Sequence, residues 1–238
     1  MALPILNNAT LHEMTIPSTG KTVSYRPYLV KEEKILLQAK ESNDENTQQR
    51  AMLKLIEACV EDIDVNTLTT FDVEYIFLML RSKSSGETIE LEWKCGSCET
   101  QNDLTVNLDD VHMSKDIDSV NNIIELTKDV SVEMKFINYN NMINMLSTKA
   151  TQDDTAEAFK MIKQTILSVN TEEERIIFDD ESIKDQDAFI DSLSSDQFAK
   201  ISGFISDEMP SVVYDKKHNC SNCKEDLNVS IRGMANFF

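Results

Sequence analysis

Two Cys-x-x-Cys pairs, Cys95/Cys98 and Cys220/Cys223, hold four of the five cysteines, with 121 residues between them. Apolar residues alternate after each pair: Leu104, Val106 and Leu108 after the first, Leu227, Val229 and Ile231 after the second. Period two marks a half-buried strand. Each pair therefore reads as the tip of a β-hairpin, where the small residues Gly96, Ser97, Ser221 and Asn222 suit a tight turn. Two such knuckles facing each other make one tetrahedral four-thiolate site, the closed form of structural zinc. Cys95, Cys98, Cys220 and Cys223 are the expected ligands of a single Zn2+. A redox Cys-x-x-Cys opens a helix, where the dipole lowers the thiol pKa; here strand residues follow. Disulfides need an oxidising compartment, and no apolar signal segment precedes residue 30. Closing the long loop costs about 4 kcal/mol, against roughly 10–16 kcal/mol for a structural zinc site. Four cysteine ligands leave no position for water, so the metal is expected to be structural and not catalytic. His218, two residues before Cys220, reads as a turn residue that could replace a ligand.

The chain has 238 residues and a formal net charge of −19. That is enough length for a real core, and the charge repels nucleic acid, anionic membrane and acidic proteins. Residues 87–110 carry one base, Lys94, and seven acids; residues 211–238 carry four bases and three acids. A phosphate-binding surface needs the opposite balance. No apolar run is long enough to cross a bilayer.

The periodicities predict an α+β fold. Residues 1–30 contain a hairpin, Leu11–Ile16 and Lys21–Tyr25 around a Pro17-Ser-Thr-Gly20 turn. A lone hairpin is marginal, so it should dock on another sheet or on a partner; the hairpin and the helical insertion read as the two partner surfaces, and deleting residues 1–30 should spare folding but lose partner capture. Residues 31–86 form a helical core with helices at 31–41, 46–60 and 70–83. In the last, Thr69 or Thr70 caps, Asp72 lies in the first turn, and the apolar run from Phe71 to Leu80 makes it the central helix. Cys59, in an apolar run with no nearby His, reads as a buried structural thiol. Residues 87–110 and 211–238 are the two halves of a split zinc ribbon. Residues 111–210 form a mainly helical insertion: a strand at 129–136, helices at 138–148 and 152–169 (apolar face Ala156, Phe159, Ile162, Ile166, Leu167), then helices at 185–193 and 195–207, with Ser194 and Gln197 as a capping box. Met134, Met142 and Met145 fill a core or a partner groove. The acid runs Glu172–Glu174 and Asp179–Glu181 lack EF-hand spacing. Gly20-Lys21 lacks the other P-loop glycine, and no HExxH or Ser-His-Asp order stands out among three histidines. No catalytic residue and no small-molecule cofactor site is expected.

Two segments, Ile16–Leu37 and Leu68–Glu87, resemble the T4-type bacteriophage baseplate hub (hub assembly) protein family. The similarity is strongest over residues 14–110 and returns in the closing Cys-x-x-Cys knuckle. The resemblance implies a late viral protein that helps assemble the central hub of a contractile-tail baseplate, as an assembly chaperone or a structural subunit. It implies other hub and tail proteins as partners, the host cytoplasm during assembly and the virion baseplate as its locations, and no reaction. The alternatives are a zinc-ribbon nucleic-acid-binding or regulatory module, and an enzyme whose site is built from distant residues. Oligomeric state is open on these observations.

Overall fold

The computed structural model describes residues 10–42, 44–147 and 154–233, and it is an α+β structure. Residues 1–9, residues 148 and 152–153 of the two expected helices, the side chains of Met145 and Ala156, and residues 234–238 lie outside what is described. The chain divides into two compact units, residues 1–114 with 211–238, and residues 115–210.

The first unit begins with strands β1 (His12–Thr15) and β2 (Thr22–Tyr25), antiparallel with His12 opposite Tyr25. Gly20 takes the left-handed conformation (φ 67°) that the turn requires, and its N–H donates to Ile16 O at 2.9 Å. Helices α1 (Val30–Glu41), α2 (Glu45–Cys59) and α3 (Thr70–Ser85) follow. Asp44 caps α2 by accepting from Thr47 N–H at 2.9 Å, and Thr69 and Asp72 form a reciprocal capping box on α3.

One face of the hairpin belongs to the core, so it is not the separable element expected above. Met14, Ile16, Val23 and Tyr25 are all buried. The hairpin is also sewn to the end of α2: Tyr25 bridges Val60, Arg26 N–H donates to Cys59 O at 3.0 Å, and Glu61 N–H donates to Ser24 O at 2.9 Å. Burial of its apolar face supplies what a free hairpin lacks. Arg26 adds a junction, donating to Glu32 Oε1 at 3.0 Å and Ala58 O at 2.9 Å, while Glu32 Oε2 accepts from Leu29 N–H at 2.8 Å. Glu32 is buried, and this pairing is what permits a charge there.

After α3 come β3 (Thr88–Lys94), β4 (Gln101–Asn107) and the short β5 (His112–Met113). In the second unit β6 (Ile123–Glu125) and β7 (Val130–Met134) precede helices α4 (Tyr139–Ser147) and α5 (Asp154–Thr165). Strands β8 (Ile166–Thr171) and β9 (Arg175–Ile177) and helices α6 (Ile183–Asp191) and α7 (Ser195–Gly203) complete it. A π-turn, Phe204–Glu208, follows α7. The four strands form one antiparallel sheet in the order β6-β7-β8-β9. One face of it packs Val132, Ile166 and Val169 against Ile190, Ile201 and Phe204.

The helix expected over 152–169 ends early. The Thr165 hydroxyl donates to Ile162 O at 2.7 Å, and Ile166–Thr171 pairs with β7. Ile166 and Leu167 satisfied the helical period by coincidence; pairing with a distant strand decides the matter. Helix α6 starts two residues earlier than expected because Ser182 caps it, accepting from Asp185 N–H at 3.2 Å. The Ser194/Gln197 capping box forms as expected.

The chain returns to the first unit through β10 (Val212–Asn219) and β11 (Asp226–Arg232), and β10 pairs with both β11 and β5. Ser114 and Ser211 close the entry and exit of the insertion: Ser114 N–H donates to Ser211 O at 2.8 Å, and Ser211 N–H to Ser114 Oγ at 3.0 Å. The two hairpins β3–β4 and β10–β11 share one core with Leu78 of α3, among them Leu104, Val106, Tyr214, Val229 and Ile231.

Candidate metal centre

Both hairpins turn through the same six-residue loop. Lys94 pairs with Gln101 at the end of one, and Asn219 with Asp226 at the end of the other. Within each loop the first cysteine makes equivalent bonds. Cys95 N–H donates to Thr100 O at 2.9 Å and Glu99 N–H to Cys95 O at 3.0 Å; Cys220 N–H donates to Glu225 O at 2.9 Å and Lys224 N–H to Cys220 O at 3.1 Å. The residue after each second cysteine is left-handed, Glu99 at φ 60° and Lys224 at φ 64°. A side chain there costs about 1–2 kcal/mol. Glu99→Gly is therefore expected to raise stability by about 1 kcal/mol and Glu99→Val to lower it, as read by urea unfolding. Equal stabilities for the two variants would show that the loop carries no such strain.

The two loops bring the four predicted cysteines together although the pairs are far apart in sequence. All four Sγ atoms lie within 4.8 Å of one another. Two of the contacts cross between loops: Cys95 to Cys223 at 3.7 Å and Cys98 to Cys220 at 3.6 Å. A tetrahedron with zinc–sulfur bonds of about 2.3 Å has sulfur–sulfur edges of about 3.8 Å, whereas a disulfide bond is about 2.05 Å. The geometry is compatible with one zinc ion, and all the cysteines are free thiols. Cys95 and Cys220 are buried, Cys98 is half-buried and Cys223 is exposed.

The electrostatics of the cluster favour a cation. The Thr100 hydroxyl, 3.3 Å from Cys98 Sγ, and the Thr100 backbone N–H hold the Cys98 thiol down at about 5. Backbone N–H groups of Cys223 and Asn222 lower Cys220. At Cys223 the Glu225 N–H pulls the same way, but desolvation and the facing sulfurs of Cys98, Cys220 and Cys95 outweigh it and push the thiol up to about 12. Four thiolates at these distances repel one another unless a metal neutralises them.

Two other candidates fall elsewhere. His218 is a strand residue, its Nε2 2.9 Å from the Tyr214 hydroxyl, and it is not among the clustered ligands. Cys59 is buried at the end of α2, and desolvation pushes its thiol up to about 11, the state of an inert structural cysteine.

The sequence pattern missed Asn102. The loop register sets each strand in step from its second cysteine, so the inward position four residues on is Asn102 in β4 and Leu227 in β11. Asn102 is buried. Its Oδ1 accepts from Ser221 N–H at 2.8 Å and the Ser221 hydroxyl at 2.9 Å, while its Nδ2 donates to Thr100 O at 2.9 Å. A polar residue at an inward place of an alternating strand was the available signal.

An α+β chain with two cysteine knuckles folded onto one centre defines the class of protein. A family model described as T4 bacteriophage base plate protein matches residues 9–238, and the chain belongs to that family. It is thereby a structural protein of the phage tail baseplate, whose partners are other baseplate and tail proteins. No curated protein and no solved structure matches it. Among the described residues no helix is long and apolar enough to cross a membrane.

Proposed function

We propose that this chain assembles the central hub of the baseplate through protein–protein contacts, stapled by one structural zinc ion on Cys95, Cys98, Cys220 and Cys223. The family match over residues 9–238 carries the baseplate part of this reading, and the T4-type hub resemblance of Ile16–Leu37 and Leu68–Glu87 carries the hub part. The zinc part is supported by sulfur spacings of 3.6 and 3.7 Å between the knuckles.

Bound zinc supplies a cross-link and no reaction, because four thiolates close its coordination shell. Thr100 orients Cys98, and the N–H groups of Asn222 and Cys223 orient Cys220. Residues 87–110 and 211–238 then act as a split zinc ribbon on the base built from the hairpin (1–30) and helices (31–86), and residues 111–210 act as the partner-facing insertion. The reading includes no catalytic residue and no small-molecule substrate. Work in the host cytoplasm, late in infection, keeps the thiols reduced for the metal.

Quantitative mass spectrometry of purified virions and of isolated hub intermediates tests the assignment. Peptides of this chain are expected with the hub intermediates. Their persistence in the finished virion makes the chain a permanent subunit, and their loss makes it an assembly chaperone. Co-purification with neither hub nor virion would overturn the reading. A nucleic-acid-binding ribbon has the charge of its own surface against it.

A further inference from the structure

We propose that Asn102 is a positioning residue for the metal: it latches the second knuckle onto the first and so preassembles the four-thiol site. This rests on the zinc reading above.

Asn102 and Ser221 are 119 residues apart and belong to different hairpins, yet Asn102 Oδ1 takes both the backbone N–H and the hydroxyl of Ser221. Ser221 lies between the two cysteines of its loop. Its N–H belongs to the peptide that joins it to Cys220, so the bond to Asn102 holds the backbone directly beside one of the four thiols. On its other side the Asn102 amide donates to Thr100 O at 2.9 Å and to Trp93 O at 3.4 Å, bracing its own loop. A second link crosses in the opposite direction. Asn222 Nδ2 donates to Thr100 Oγ1 at 3.3 Å, and that hydroxyl lies 3.3 Å from Cys98 Sγ. Each knuckle thus reads the other's backbone or side chain within two residues of a thiol.

The alternative is that Asn102 only fills space, and Leu227 argues against it. Leu227 occupies the matching place in β11 and is buried as well. An apolar residue therefore suffices to pack that position in a hairpin. A buried amide is costly unless its bonds are made. Here they are made across the centre, at the end of the hairpins where the sulfurs meet.

The test compares the full chain with Asn102→Leu. Zinc affinity is read by competition with a chromophoric chelator, and urea unfolding is run on the metal-free and zinc-loaded forms. The expected result is a zinc affinity lower by about 10–100-fold, with the loaded form losing more stability than the metal-free form. Ser221→Ala, which removes one hydroxyl from the latch, is expected to lower affinity about 5-fold and to add nothing in the Asn102→Leu background. It also serves if the leucine variant does not fold. Unchanged affinity in either variant, with equal stability losses in both forms, would make Asn102 a fold residue and overturn the proposal. A wild-type chain that binds no zinc would overturn the metal reading itself, a distinguishable result.

Discussion

Cys220→Ser is expected to abolish stoichiometric zinc and to lower the melting temperature of the first unit by about 10 °C or more. Wild-type protein purified without chelator should carry one zinc per chain by elemental analysis. The physical argument is a comparison of magnitudes. A structural zinc site contributes roughly 10–16 kcal/mol. Closing the chain between the knuckles costs about 4 kcal/mol, and a whole domain is stable by only about 5–15 kcal/mol. Loss of even about 4 kcal/mol moves the midpoint of a unit this size by about 8–16 °C. Thiol titration gives an independent reading. On the zinc reading the four clustered thiols would be ligated, and Cys59 is buried with its thiol pushed up to about 11. No fast-reacting thiol is therefore expected in the native loaded protein, and all five in denaturant with chelator. A serine variant with an unchanged melting temperature, or native protein with four reactive thiols and no metal, would remove the staple.

Asp72→Ala is expected to cost about 3–5 kcal/mol in urea unfolding, far more than the same change at another helix cap. Asp72 is fully buried at the start of α3. Its Oδ1 accepts from Ser18 N–H of the hairpin turn at 2.9 Å; its Oδ2 accepts from Thr69 N–H at 2.9 Å and the Thr69 hydroxyl at 2.7 Å. Alanine leaves the buried Thr69 donors and the half-buried Ser18 N–H without their acceptor, and each unsatisfied buried group costs about 1–3 kcal/mol. The helix also loses a negative charge at its N-terminus. Asp44→Ala, at the exposed cap of α2, is the control, with an expected cost of about 1 kcal/mol. Equal costs for the two changes would mean that the hairpin turn is not anchored through Asp72. The anchoring matters for function, because deletion of a docked hairpin is expected to destabilise the first unit as well as to remove any partner contact it makes.

Much of this architecture was legible in residue order, because the signals are local. A capping box such as Ser194 with Gln197 acts over three residues, and the alternation of Leu104 with Val106 or Val229 with Ile231 follows from the pleat of one strand. The cysteine spacing picked out the four thiols that cluster, because two knuckles that face each other have a recognisable sequence form. Tertiary structure decided what depends on partners far along the chain. It turned Ile166–Thr171 from a helix end into a strand by pairing it with β7. It buried the hairpin against α2 through Tyr25 and Val60. It also placed Asn102 against Ser221, a bond whose two ends are 119 residues apart. Periodicity reports which face of an element is apolar, but a hydrogen bond between two elements depends on their relative position, and that is set by the packing of the whole unit.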